Sequence, residues 1–213
     1  LCATRKSRDR STCISNRNYA CRLTTTLATS TSSIDFDPIA VNTSSTKQAS
    51  ISFNNTTYPQ QVTGTCTNGY FTVTPTSVND TGTTTIDVKY NPQQPGKHKG
   101  TVTLSMNGKE VSFAVSGTSL ATYNFSAQAS PNNANYGSAS ASVDKASITS
   151  ANASETATAT FSATAKDGYE FVGWNTNADG TGTYYNPGDE FTFTEDTTLY
   201  AIWKQGIENV NII

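Results

Sequence analysis

Apolar and polar residues alternate in short runs along most of the chain, and this period of two constrains the fold more than any other feature. "TIDVKY" places Ile86, Val88 and Tyr90 on one side, and "GTVTLSM" and "VSFAV" repeat the pattern. Alternate side chains share one face of a β-strand, so such runs are typical of half-buried strands. Charged residues reach only 14%, and Thr and Tyr recur, a composition that favours strands over helices. We therefore predict an all-β protein.

Turn residues separate the runs of the first module. "YNPQQPG" divides two of them, and Asn107–Gly108 divides two more. Asn-Gly between alternating runs is the strongest short hairpin signal, because both residues tolerate positive φ. About seven short strands between residues 34 and 119 predict an immunoglobulin-like β-sandwich.

The segment "YNPQQPGKHKGTVTLSMNGKEVSFAVSGT" resembles the ASH/Hydin-like, or choice-of-anchor D, branch of immunoglobulin-type sandwiches. Tyr90, Pro92, Gly96, Gly100 and Gly117 fill the recurring positions of that pattern. The resemblance implies a structural spacer or a docking surface without a shared active site.

Residues 120–204 are predicted to form a second module. "DGYEFVGWNTNADGTGTYYNPGDEFTFTEDTTLYAIWK" resembles the Listeria–Bacteroides repeat, which is related to the internalin B-type repeat. The resemblance implies a small β-grasp-like fold on a bacterial surface protein. The matching residues are Gly168, Tyr169, Phe171, Gly173, Trp174, Asp179, Gly180, Gly182, Tyr185, Gly188, Asp196, Thr198, Leu199, Tyr200, Ala201 and Trp203.

Residues 1–33 lack periodicity, and we predict a disordered basic leader and linker there. The first 22 residues sum to a net charge of +5 and the rest to -7, which together give the chain's -2. Three of the four cysteines, Cys2, Cys13 and Cys21, lie in this leader without zinc-type spacing, and their pairing stays open. Cys66 shares a strand face with Val62 and is expected to be buried.

The ends of the chain bear on its location. It does not begin with Met and shows no signal peptide, so we expect a fragment or a processed product. The last residues, 205–213, resemble the linker before a type IX sorting domain. Together with the module resemblances, this predicts an extracellular or outer-surface protein of a Gram-negative bacterium.

The loop from Asn175 begins like a calcium-binding loop, with Asn175, Asn177 and Asp179 at alternate positions before Gly180. An EF-type loop requires a bidentate Glu at its twelfth position, which here is Asn186. We therefore predict a turn between strands and no metal site.

No motif for catalysis or a cofactor stands out. The single histidine, His98, lies between two lysines, and we expect an exposed turn in which positive neighbours lower its pKa. The carboxylates of Asp189, Glu190, Glu195 and Asp196 are expected to form the solvated rim of a hairpin. The sequence contains neither a phosphate-binding loop nor a dinucleotide fingerprint. We expect no enzyme activity, no cofactor, no nucleic-acid partner and no membrane span.

The aromatic residues of the second module raise the question of binding. Trp174 and Trp203 are expected in the core, since Trp203 alternates with Leu199 and Ala201. Tyr184, Tyr185 and Tyr200 are candidate ligand contacts. Thr197, in the short motif "DTT", is a candidate O-glycosylation site.

These observations predict a non-enzymatic surface or secreted protein that acts as an adhesin or structural spacer. One alternative is a module that binds a glycan or protein through exposed tyrosines. Another is an accessory region of a larger secreted hydrolase. The expected partner is a protein or glycan at the cell surface, and the oligomeric state stays open.

Overall fold

The computed structural model describes residues 25–206, apart from the side chains of residues 55–58. The basic leader up to residue 24, with its three cysteines, and the tail from residue 207 lie outside the described residues. Within them the chain forms sixteen β-strands and no helix, so the all-β prediction is confirmed. The first eight strands are β1 (Thr26–Thr29), β2 (Ser33–Asp35), β3 (Ile39–Ala40), β4 (Ser45–Cys66), β5 (Phe71–Val73), β6 (Thr76–Tyr90), β7 (Gly96–Met106) and β8 (Lys109–Asn124). The other eight are β9 (Ala127–Pro131), β10 (Gly137–Val143), β11 (Ser147–Ser150), β12 (Ala157–Ala165), β13 (Tyr169–Asn175), β14 (Tyr184–Tyr185), β15 (Phe191–Phe193) and β16 (Thr197–Gln205).

The first module is a β-sandwich whose two layers share one long strand. β4 pairs with β1 and β6 along most of its length and then with β7 from Thr63 to Cys66. One layer therefore contains β1, β4, β6 and β5, and the other contains the end of β4 with β7, β8, β2 and β3. The predicted apolar faces meet between the layers. The most buried members of this core are Ala49, Ile51, Val62, Ile86, Val88, Tyr90, Val102, Leu104 and Met106.

Tyr90 is the aromatic centre of the sandwich core. Its ring is fully buried and stacks on Phe71, with ring centroids 4.7 Å apart, and it also contacts Phe36 at 5.4 Å. A Cβ at Gly117 would lie 2.6 Å from the Tyr90 ring. Glycine is therefore required on β8 so that the large ring can fit between the layers.

The Asn107–Gly108 hairpin is confirmed. β7 and β8 pair from Met106 with Lys109, and the two turn residues have φ of 51° and 72°. Both angles lie in the left-handed region that a type I′ turn requires.

His98 differs from its predicted environment. It lies on β7, half-buried, where its Nδ1 is 2.7 Å from the Tyr90 hydroxyl and its ring packs edge-on against Tyr70 at 4.5 Å. Burial lowers the pKa of the His98 imidazole. The predicted direction was right, but the cause is desolvation rather than the neighbouring lysines, whose side chains point to the other face of the strand.

The predicted boundary of the disordered leader was too late in the sequence. β1 pairs with β4 through Leu27 and Phe53, and the Leu27 side chain is buried in the sandwich core. Residues 25–33 therefore belong to the ordered sandwich. The period-two pattern of "TLAT" was too short to stand out from its Thr- and Ser-rich surroundings.

The predicted boundary between the modules, at residues 119 and 120, falls inside a strand. β8 continues to Asn124, and its last four residues pair with β11, which belongs to the second module. The chain therefore passes from one module to the next within a continuous strand.

The second module, which we call the repeat module, packs a three-stranded sheet on a four-stranded sheet. The strand orders are β10-β12-β15 and β14-β13-β16-β9. Trp174, Leu199, Ala201 and Trp203 from the four-stranded sheet pack against residues of the three-stranded sheet that include Phe161 and Phe191. The first and last strands of the module, β9 and β16, pair in parallel. No helix covers the sheet in the described chain, because the three-stranded sheet occupies its apolar face.

Candidate functional site

The loop from Asn175 to Thr183 is organised by one buried amide. Asn175 is 2% exposed at the end of β13. Its Oδ1 accepts hydrogen bonds from the backbone N–H groups of Asn177 and Gly182, and its Nδ2 donates to the carbonyls of Gly180 and Gly182. All four bonds lie between 2.9 and 3.2 Å, so this side chain is fully satisfied within the loop.

The remaining oxygens of the loop also serve its own backbone. The Gly180 N–H donates to the Asn177 carbonyl, which closes a tight turn, and Gly180 has a φ of 81°. Asp179 Oδ1 accepts hydrogen bonds from the backbone N–H and the hydroxyl of Thr181, and these bonds lower the pKa of the Asp179 carboxyl. The predicted turn is therefore present, and the oxygens that resemble calcium ligands hold it together.

We expect millimolar calcium to leave the melting temperature of the repeat module unchanged. A site filled at 100 times its Kd would add about 2.7 kcal/mol, which corresponds to several degrees in a domain of this size. Differential scanning calorimetry with calcium and with EDTA makes the comparison. Asn175→Ala removes the amide that holds the loop and should lower the transition equally in both buffers. A calcium-dependent rise in the native chain that Asn175→Ala abolishes would contradict the turn interpretation.

The outer face of the four-stranded sheet brings two of the predicted tyrosines together. Asn175 pairs with Tyr184 on β14 and with Tyr200 on β16, so the three residues form one row across three strands. Ile202 follows Tyr200 on the same face and pairs with Gly173. Neither tyrosine belongs to a hydrophobic core cluster, and neither does Ile202. We call Tyr184, Tyr200 and Ile202 the tyrosine face.

Tyr184 is fixed in position on this face. Its hydroxyl donates a 2.7 Å hydrogen bond to the Val172 carbonyl, and a Cβ at Gly173 would overlap that hydroxyl. The side chain therefore lies across Gly173 while the residue stays 47% exposed. Among the described residues, Tyr184 is the only large hydrophobic side chain that is exposed.

Tyr185 does not lie on the tyrosine face but packs toward the core of the repeat module, and its role as a ligand contact stays a prediction. It pairs with Trp174, is partly buried, and packs edge-on against Phe191 at 5.0 Å. Adjacent strand residues face opposite sides, so only one of the two neighbouring tyrosines can face solvent. Pairing with the inward Trp174 decides that it is Tyr184.

Both tryptophans are in the core, as predicted, with Trp174 4% and Trp203 8% exposed. Two residues were not predicted from the sequence. Gly137 accommodates Trp203, since a Cβ there would overlap the indole ring. Ile202 lies on the tyrosine face, and its alternation with Tyr200 on β16 was a usable signal. The role of Asn175 as the organiser of the loop had no sequence signal apart from its amide.

Thr197 lies half-buried at the start of β16, where its N–H donates to the Ser126 carbonyl. Its neighbour Asp196 accepts a 2.9 Å bond from the Ser126 N–H, so this part of "DTT" joins β16 to the segment before β9. Asp189 Oδ2 accepts a 2.7 Å bond from the Asn186 N–H. Asp189 therefore supports a turn, and Asp196 supports the connection between β16 and the segment before β9. O-glycosylation of Thr197 stays a prediction.

No helix of the described residues has the length and hydropathy to cross a membrane. Two matching proteins of Evansella cellulosilytica are named as membrane proteins. One, described as Gly-rich, is 53% identical over 47 residues, which are 22% of this chain and 5% of that protein. The other is 49% identical over 39 residues, or 18% of this chain and 6% of that protein. The chain thus matches only a small part of each relative, and neither supports the expected Gram-negative host.

The sandwich is similar in structure to the ASH/PapD-like domain 7 of human CEP192. The match has a TM-score of 0.39 and 12% identity, and it covers 52% of this chain and 96% of that domain. The family model of the Listeria–Bacteroides repeat domain matches residues 132–202. This range holds the tyrosine face, the loop around Asn175 and most of the repeat module. Over residues 132–202 the chain therefore matches the Listeria–Bacteroides repeat domain, a domain type of surface and extracellular proteins.

Proposed function

We propose that this chain is a non-enzymatic, rigid spacer within a surface protein. The single observation that carries the proposal is the continuity of β8, a strand that pairs with strands of both modules. A spacer must transmit position, and a chain of modules does so only when the connections resist bending.

Every residue of β8 is held by a neighbouring strand. Lys109–Ser119 pair with β7, Leu120 pairs with Ala40 of β3, and residues 121–124 pair with β11. Beyond the strand, the N–H of the buried Phe125 donates to the Ala146 carbonyl. No freely rotating linker separates the sandwich from the repeat module in this stretch.

The chemistry of the described side chains supports a structural role. His98, the only histidine of the chain, forms a hydrogen bond with the Tyr90 hydroxyl and packs against Tyr70. It is therefore part of the sandwich packing. The Asp179 and Asp189 carboxylates accept hydrogen bonds from their own turns, and Asp196 accepts one from the Ser126 N–H next to β9. The match to the repeat domain supports an extracellular location, and the expected partner there is a protein or glycan at the cell surface.

Double electron–electron resonance tests the rigidity. Spin labels are attached to cysteines introduced at exposed Thr83 of β6 and Thr160 of β12, in a chain whose four native cysteines are serines. We expect one narrow distance distribution between the modules. A matched control with Gly-Ser-Gly-Ser inserted after Leu120 should broaden the distribution. A native connection as broad as this control would refute the spacer proposal.

A further inference from the structure

The tyrosine face has a geometry that the spacer role does not explain. Its three members lie on β14 and β16, the two neighbours of β13, on the side of the sheet opposite to the core. A sheet with one face on a core usually places polar residues on the other. Elsewhere the outer surfaces of the protein follow this rule with Thr, Ser and Lys, as in exposed Thr83, Thr85 and Lys89 of β6.

The exposed group at this site is the aromatic ring of Tyr184, whose hydroxyl already makes a hydrogen bond within the protein. The Tyr184 hydroxyl is committed to the Val172 carbonyl, so what remains for a ligand is largely the ring. Because Gly173 lets the side chain lie across the strand, the ring is held without help from a ligand. A pre-positioned ring loses little conformational entropy on binding.

The surroundings of the face favour a ligand without net charge. Glu170 and Lys204 border it as an ion pair with 3.0 Å between Oε2 and Nζ. Ser130 pairs with Tyr200 and extends the row with a neutral hydroxyl. The nearby loop carboxylate of Asp179 is occupied by Thr181. Among residues 25–206, no cluster of cations lies beside this face, as phosphate or sulfate recognition would need.

The size of the face favours a small ligand over a folded protein. Tyr184 and Tyr200 are two strand spacings apart, about 10 Å, and Tyr200 and Ile202 are about 7 Å apart along β16. This corresponds to an area on the order of 100 Å². A stable protein interface buries about 800 Å² on each partner. An exposed aromatic ring in a neutral setting, with the Ser130 hydroxyl in the same row, instead suits a sugar, which has apolar C–H faces and hydroxyl edges.

We propose that the tyrosine face binds a neutral oligosaccharide, with Tyr184 stacking against a pyranose ring and Tyr200 and Ile202 supporting the next unit. This activity is independent of the rigidity of β8, so either proposal can fail without the other.

Titration of the full chain with neutral hexasaccharides tests the site. The probes are cellohexaose, mannohexaose, xylohexaose and chitohexaose, with a heparin hexasaccharide and choline as charged probes, and binding is measured by calorimetry. We expect saturable binding of at least one neutral probe. Tyr184→Ala and Tyr200→Ala should each weaken it about tenfold or more, which is about 1.4 kcal/mol. Tyr184→Phe keeps the ring and should stay within about threefold of the native affinity.

Thermal melting of each variant shows whether both modules remain folded. If Tyr184→Ala disturbs β14, the binding test relies on Tyr200→Ala, which lies on β16. The proposal is overturned if none of the four neutral probes binds, or if both alanine variants bind like the native chain. Binding restricted to heparin or choline overturns it as well.

Discussion

Trp174→Ala is expected to unfold the repeat module or leave it marginally stable while the sandwich stays folded. Trp174 is 4% exposed and contacts Phe161 at 5.3 Å and Phe171 at 5.0 Å between ring centroids. Losing such a ring costs about 3–5 kcal/mol. A module of this size has roughly 4–13 kcal/mol in total, at about 0.05–0.15 kcal/mol per residue. Scanning calorimetry should show one transition falling by more than about 10 °C.

The matched control for this change is Lys204→Ala on β16. Lys204 pairs with Glu170 on the exposed face, and removing such a pair costs at most about 1 kcal/mol. The sandwich transition is an internal reference, because its core shares no residue with the clusters of the repeat module. A Trp174→Ala chain with both transitions in place would show that the indole does not hold this core together.

Tyr90→Ala is expected to have the reciprocal effect, with the sandwich lost and the repeat module retained. The Tyr90 ring fills the space between the layers against Phe36, Phe71 and Gly117. Its removal leaves a cavity and should cost about 3–5 kcal/mol, as for other large aromatic residues. The corresponding transition should fall by more than about 10 °C. Calorimetry on the same chain records both modules at once.

Tyr90→Phe separates the ring from its hydroxyl. Phenylalanine keeps the packing and loses the 2.7 Å contact with His98 Nδ1, so the expected cost is about 0.5–1.5 kcal/mol. If Tyr90→Ala lowered both transitions equally, the two modules would unfold as one cooperative unit through β8. If Tyr90→Phe matched the alanine variant, the hydrogen bond with His98 would be the dominant interaction.

The pairing of strands could be anticipated only where the signals were local. The Asn107–Gly108 turn fixes the register of β7 and β8, since a type I′ turn connects directly opposed residues. β4 has no such signal, because its change of partner from β6 to β7 depends on residues far away in the chain. A short stretch of sequence contains no residue of such a distant partner strand, so it cannot predict this pairing.

The candidate site was anticipated in part for the same reason. Period two alone predicts that Tyr200 faces away from the side of the strand that carries Leu199, Ala201 and Trp203. The choice between Tyr184 and Tyr185 does not, because a two-residue strand has no periodicity of its own. Its orientation is set by pairing with β13, where Trp174 faces inward.

Local sequence patterns predict the strand-forming segments, the faces that are buried and the turn at Asn177–Gly180, because alternation and turn chemistry act between near neighbours. The tertiary structure alone decided that β8 continues into the repeat module and that Tyr184 lies across Gly173. It also decided that His98 is held by Tyr90. Each of these depends on which segments lie side by side, and that is set by the packing of distant apolar faces against one another.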